Sequence, residues 1–141
     1  MDPTLRAVLA VLMRWIHVTS VVTLIGGFIF ARYALAPALT SADPAVGKRV
    51  VAGFRPLLFT VLVTVLGSGL YNYLTKPSYP PLYHMLIGIK FLFVLHIFAV
   101  SVLYSNPDAA EAKRNRWLTG MVVSGLIIIA ISATLRWISL K

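Results

Sequence analysis

Residues 117–138 read WLTGMVVSGLIIIAISATLRWI. A helix needs about 20 mostly apolar residues to cross the ~30 Å hydrocarbon core of a bilayer. This stretch supplies them with a single charge, Arg136, close to its end. It is too long for one strand and lacks the alternation that a membrane barrel strand requires. Three further stretches read the same way: about 7–31, interrupted by Arg14 and His17; about 56–74, opening on Pro56; and about 82–104, carrying Lys90 and His96. The expected fold is therefore all-α, an integral membrane four-helix bundle, with residues 1–141 forming a single four-span transmembrane domain.

The composition excludes the main alternatives. Of 141 residues, 59% are hydrophobic and 12% charged, and the mean hydropathy is +0.86. A soluble domain carries about 25% charged residues, and this chain has too little polar sequence to cover a water-soluble core. A soluble enzyme, a disordered chain and a disulfide scaffold are excluded together. The absence of cysteine removes thiolate metal sites, iron–sulfur clusters and covalent c-type haem. The net charge of +9 does not point to nucleic acid, because the basic residues sit mostly between apolar runs, where they face lipid headgroups.

The connecting segments predict the helix limits. Ala36-Pro37 and Thr40–Pro44 are expected to end the first helix, and the basic stretch 45–55 to form a short interfacial helix. Lys76–Pro81 reads as a tight turn. Ser105-Asn106-Pro107-Asp108 stops the third span, with Asp108 as N-cap of a short helical turn carrying Glu111, Lys113 and Arg114. Ala34-Leu35-Ala36 resembles a signal-peptidase site, but the preceding apolar stretch is too long for a signal peptide and Pro37 follows the cut, so the first helix reads as retained. Arg32, Lys48, Arg49, Arg55, Lys113, Arg114 and Arg116 share one side; Arg6, Lys76, Arg136 and Lys141 share the other. The positive-inside rule places the first side in the cytoplasm and both termini outside, in the inner (cytoplasmic) membrane.

Charged groups within spans are costly and need a reason. Snorkelling to the headgroups accounts for Arg32, Arg55 and Arg136, and is one of two readings for Arg14. It does not account comfortably for Lys90. At 1.5 Å per residue, His17 and Lys90 lie at about the same depth, His84 near the outer surface and His96 about 10 Å further in. All four acids, Asp2, Asp43, Asp108 and Glu111, are in termini or loops, so no carboxylate within a span neutralises Arg14 or Lys90. The missing anion is either a lipid phosphate or part of a ligand, such as a porphyrin propionate. Arg14 and His17 share a face of the first helix. Gly26-Gly27 and Gly67-Ser68-Gly69 permit close approach of a helix or a flat ligand, and Tyr71-Asn72-Tyr73 brings polar groups to the outer end. His96 reads as a structural donor.

His17, then Gly26-Gly27, then Arg32 and Pro37 resemble the opening helix of the copper-resistance protein D superfamily, and within it the HemJ-type protoporphyrinogen oxidases. Gly67-Ser68-Gly69-Leu70-Tyr71 resembles their second-helix glycine motif, and Ile89-Lys90-Phe91-Leu92-Phe93-Val94-Leu95 their lysine-plus-apolar run. The departures are Leu24, where a tryptophan is usual, and a fourth helix without the usual Asn-Glu pair. The resemblance implies haem b, with His17 as the metal ligand and Lys90 beside or opposite it, and electron transfer or porphyrin oxidation as the task. Arg14, His84 and Tyr71 complete the expected cofactor surroundings. The second ring nitrogen of His17 is expected to bond Ser20 or Thr23. Two other functional readings stay open: a non-catalytic subunit packed on a larger membrane complex or on copies of itself, and a copper permease, which the scattered Met1, Met13, Met85 and Met121 disfavour.

Overall fold

The computed structural model describes residues 2–75 and 80–139. Four long helices account for nearly all of them: α1 (Pro3–Leu39), α2 (Pro44–Leu74), α3 (Pro81–Tyr104) and α4 (Glu111–Ile138). Each is long and apolar enough to cross a membrane. α1 packs along α2 and α3 along α4, and α1–α4 contacts join the two hairpins. The seam between α2 and α3 is looser. It is bridged by the rings of Phe59 and Phe98, which meet edge-to-face at 6.4 Å.

The core follows helical spacing. Leu24, Phe28 and Ala31 of α1 meet Leu58, Leu62 and Val65 of α2, Ile97 of α3, and Leu118, Met121, Val122 and Ile128 of α4. The outward faces are as apolar as this core: Val22, Val63, Leu92, Leu95 and Leu126 are all more than half or about half exposed. In water such a surface would aggregate; in a bilayer it is the lipid-facing side. The chain is a multi-pass membrane protein in contact with lipid.

Lipid offers no hydrophobic force between helices, so close packing and interhelical polar bonds hold them together. Gly125 of α4 lets Ile25 of α1 approach closely: a Cβ there would meet Ile25 Cγ1 at 3.1 Å. Arg32 of α1 does more than snorkel, since its Nε donates to Thr119 Oγ1 of α4 at 2.8 Å.

Three expected boundaries differ. α1 does not stop at Ala36-Pro37. Residues Ala31–Leu35 form a π-turn in which Ala36 N–H bonds the Ala31 carbonyl, five residues back. This wider turn absorbs the hydrogen bond that Pro37 cannot make, and the helix runs on to Leu39. Residues 45–55 are not a separate helix. Asp43 caps α2, its Oδ1 accepting from Ala45 N at 2.8 Å, Pro44 fills the first turn, and the helix continues through Pro56. The carbonyl that Pro56 leaves unbonded belongs to Ala52; both residues are exposed, where headgroups can satisfy it. Finally, α4 starts at Glu111 with Ala110 as a cap that makes no side-chain bond. Asp108 caps nothing and instead pairs with Lys48 of α2 at 3.0 Å. The expected turn at Lys76–Tyr79 lies outside the described residues.

Candidate functional site

His17 stands on α1 about two turns before the first buried residue, Leu24. Its Nδ1 is 3.0 Å from Ser68 Oγ on α2. Ser68 is almost wholly buried, and its hydroxyl donates to a backbone carbonyl of its own helix, Thr64 or Val65. A hydroxyl has one proton to donate. With that proton on a carbonyl, Ser68 Oγ accepts from His17 Nδ1–H. In the neutral ring this arrangement puts the proton on Nδ1 and the lone pair on Nε2. The partner is a serine of the neighbouring helix and not Ser20 or Thr23; Thr23 Oγ1 donates to the Thr19 carbonyl instead.

Gly69, the next residue, makes room for this ring. A Cβ at position 69 would lie 3.1 Å from His17 Cε1. The expected glycine motif therefore acts through Ser68 and Gly69, whereas Gly26 and Gly67 face open space.

The ring borders a cavity of about 70 Å³ inside the bundle. Its wall includes Val21 and Leu24 of α1, Val65 and Tyr73 of α2, Lys90 and Phe91 of α3, and Ile128 of α4. His17 and Lys90, on different helices, are thus brought to one space. At about 10–15 Å³ per water, it has room for a few water molecules and is far below the ~300–1,000 Å³ of ligand sites.

The other expected residues lie elsewhere. Arg14 is exposed and does not line the cavity, because this part of α1 has no neighbour to bury it. Tyr71 does not line it either; Tyr73, two residues on, does. His84 is exposed, with Nδ1 2.9 Å from the Tyr73 hydroxyl. That bond joins α2 to α3 next to the cavity, which Tyr73 lines. His96 is away from the cavity and pairs through Nδ1 with Ser124 Oγ of α4 at 2.9 Å, a structural link within the second hairpin. Ser68 and Tyr73 were visible as polar residues in an apolar span, but their partners depend on helix rotation. Among the described residues no group of three His, Asp or Glu side chains is arranged to hold a metal ion.

No family model, curated protein or solved structure matches this chain.

Proposed function

We propose that this protein is an integral-membrane haem b protein in which His17 is the iron ligand and Lys90 pairs with a propionate. One observation carries the reading: the Ser68 bond takes the Nδ1 side of the imidazole and leaves Nε2 as the lone-pair nitrogen of the neutral ring, beside a cavity that also holds a lysine, and no carboxylate lies in the apolar stretch of any span. The donor set suits haem, since a neutral imidazole ligates iron and its other nitrogen is anchored by a hydrogen bond. The space suits it only once the loose α2–α3 seam widens, because 70 Å³ does not hold a macrocycle. Bound haem would supply one-electron chemistry. With no acid in the spans to accept substrate protons, electron transfer is favoured over porphyrin oxidation. By the positive-inside rule the basic end faces the cytoplasm of a cell with this protein in its inner membrane, and both termini lie outside.

The test is the Soret band of protein purified after expression with added haem precursor. His17→Ala is expected to abolish the band and His96→Ala to retain it. A band that survives His17→Ala, or none in the wild type, refutes the reading.

A second reading draws on one feature of α1. Its first turns extend about 12 Å beyond the end of α2, taking 1.5 Å per residue from the His17–Ser68 level. Leu5 and Val8 are exposed there. An apolar helix end without a neighbour supports membership of a larger membrane assembly, and pull-down of intact protein from mild detergent tests it.

A further inference from the structure

Two ring pairs tie α2 to α3. Phe59 meets Phe98 at 6.4 Å, and Tyr73 meets His84 edge-to-face at 6.1 Å. Both pairs belong to one antiparallel register, because Phe59 to Tyr73 on α2 and His84 to Phe98 on α3 are equal lengths of helix, about 21 Å at 1.5 Å per residue. Between the ring pairs the seam is loose. Leu66 and Phe91 stand midway, opposite each other by this register, and both line the cavity that holds His17 and Lys90. Phe91 is also 37% exposed, so one side chain borders both the cavity and the lipid-facing surface.

Lys90 is the only charged side chain among the described residues that line this cavity. Its ammonium lies near enough to the His17 ring to act on it electrostatically, and no ion pair neutralises it among the described residues. No acid lines the space, and apart from His17 and Tyr73 the rest of the wall is apolar. The charge inside is therefore positive, and a partly buried cation calls for an anion.

The bilayer offers two kinds, phosphate and carboxylate. A phospholipid phosphate keeps its charge and stays at the headgroups, whereas Lys90 lies about 9 Å along α3 from His84 in the first turns. A long-chain carboxylic acid is uncharged when protonated, so it enters hydrocarbon and ionises beside the ammonium. Size agrees with charge. About 70 Å³ takes a carboxyl group and the first carbons of a chain, while the tail lies between α2 and α3 among the lipid tails. Unlike a macrocycle, this ligand needs no widening of the bundle.

We propose that the α2–α3 seam is a side entrance from the bilayer through which a long-chain fatty acid places its carboxylate on Lys90. The site does not depend on haem; because a propionate would use the same ammonium, fatty acid and haem compete where both are present.

The test uses intact protein in phosphatidylcholine liposomes and a photoreactive palmitic acid with a diazirine near its carboxyl end, the labelled residues being located by mass spectrometry. Labelling is expected within 62–73 and 87–97, displaced by palmitic acid but not by hexadecanol, which has the tail without the carboxyl group. Lys90→Gln is expected to lower it by at least about tenfold, and Arg14→Gln, at an exposed cation of α1, to leave it unchanged. Since the chain has no cysteine, a Leu66→Cys, Phe91→Cys pair is bridged selectively by a bifunctional thiosulfonate. The bridge is expected to block labelling and reduction to restore it. Equal losses in the two cation variants, equal displacement by hexadecanol, or labelling that survives the bridge overturns the proposal. Should Lys90→Gln fail to fold, the hexadecanol comparison in the wild type still decides. The Soret band tests the haem reading separately: its absence alongside Lys90-dependent labelling overturns only that reading, and a His17-dependent band without labelling overturns only this one.

Discussion

Replacing Gly69 by alanine is expected to separate helix preference from site geometry. Within a helix, alanine is favoured over glycine by about 0.5–1 kcal/mol. Gly67 and Gly69 lie on the same helix, two residues apart, and differ in what a methyl would meet. At position 67 there is nothing within 4 Å; at position 69 the new Cβ would sit 3.1 Å from His17 Cε1 and 3.5 Å from Nδ1. The His17 ring cannot retreat without lengthening its 3.0 Å bond to Ser68, so the methyl overpacks, at about 1–3 kcal/mol. Gly67→Ala is therefore expected to be neutral or slightly stabilising, and Gly69→Ala to fall about 1–3 kcal/mol below it. Reversible unfolding in mixed micelles, followed by circular dichroism, measures both. Adding His17→Ala to each variant is the control, and the gap should close. Equal stabilities in the presence of His17, or a gap that persists without it, would show that the ring does not rest on Gly69.

Ser68→Ala removes the acceptor of His17 Nδ1–H; it is expected to cost about 0.6–1.7 kcal/mol, the range of interhelical polar bonds in membranes, and to mix the ring tautomers, which nitrogen-15 shifts of labelled histidine report. Gly120→Ala places a Cβ 3.6 Å from His96 Cε1, an ordinary contact, so that variant should unfold within about 1 kcal/mol of the wild type. Lys48 and Asp108 are exposed by 56% and 78% at their side chains, so a double-mutant cycle should give a coupling below about 1 kcal/mol. Because the chain has no cysteine, single cysteines at Thr75 and Ser41 are expected to react with impermeant thiol reagents from opposite sides of the membrane, and labelling of both from one side contradicts the four-span topology.

The four spans were legible because length and apolarity alone decide them. The ends were not. Pro37 and Pro56 read as breaks because proline lacks a donor and clashes with the preceding turn. Neither break occurs: a π-turn re-routes the bonding before Pro37, and Pro56 lies on an exposed face near the basic end. Depth along a helix is also a sequence property, at 1.5 Å per residue, and it set His17 and Lys90 at one level. Rotation about each helix and the choice of neighbour are not, because they depend on which faces pack. That is why Arg14, on the His17 side by spacing, stands exposed, and why Tyr73 rather than Tyr71 reaches the cavity. It is also why the serine that holds His17 comes from α2, 51 positions along the chain.

The two hairpins carry the same polar link, a histidine on the first helix joined through Nδ1 to a serine on the second. As links they are equivalent, each satisfying polar groups that lipid would leave bare. What distinguishes them is the surroundings. The ring of His96 lies away from the cavity, with room to spare at Gly120. That of His17 is pressed onto Gly69, its tautomer is set by a serine whose own proton goes to a carbonyl, and it shares a cavity with a lysine. Packing alone needs none of these additional constraints, since the His96 pair joins its helices without them. The proposed role of His17 as a ligand through Nε2 draws on these constraints, since a ligating ring needs its orientation held by a second bond.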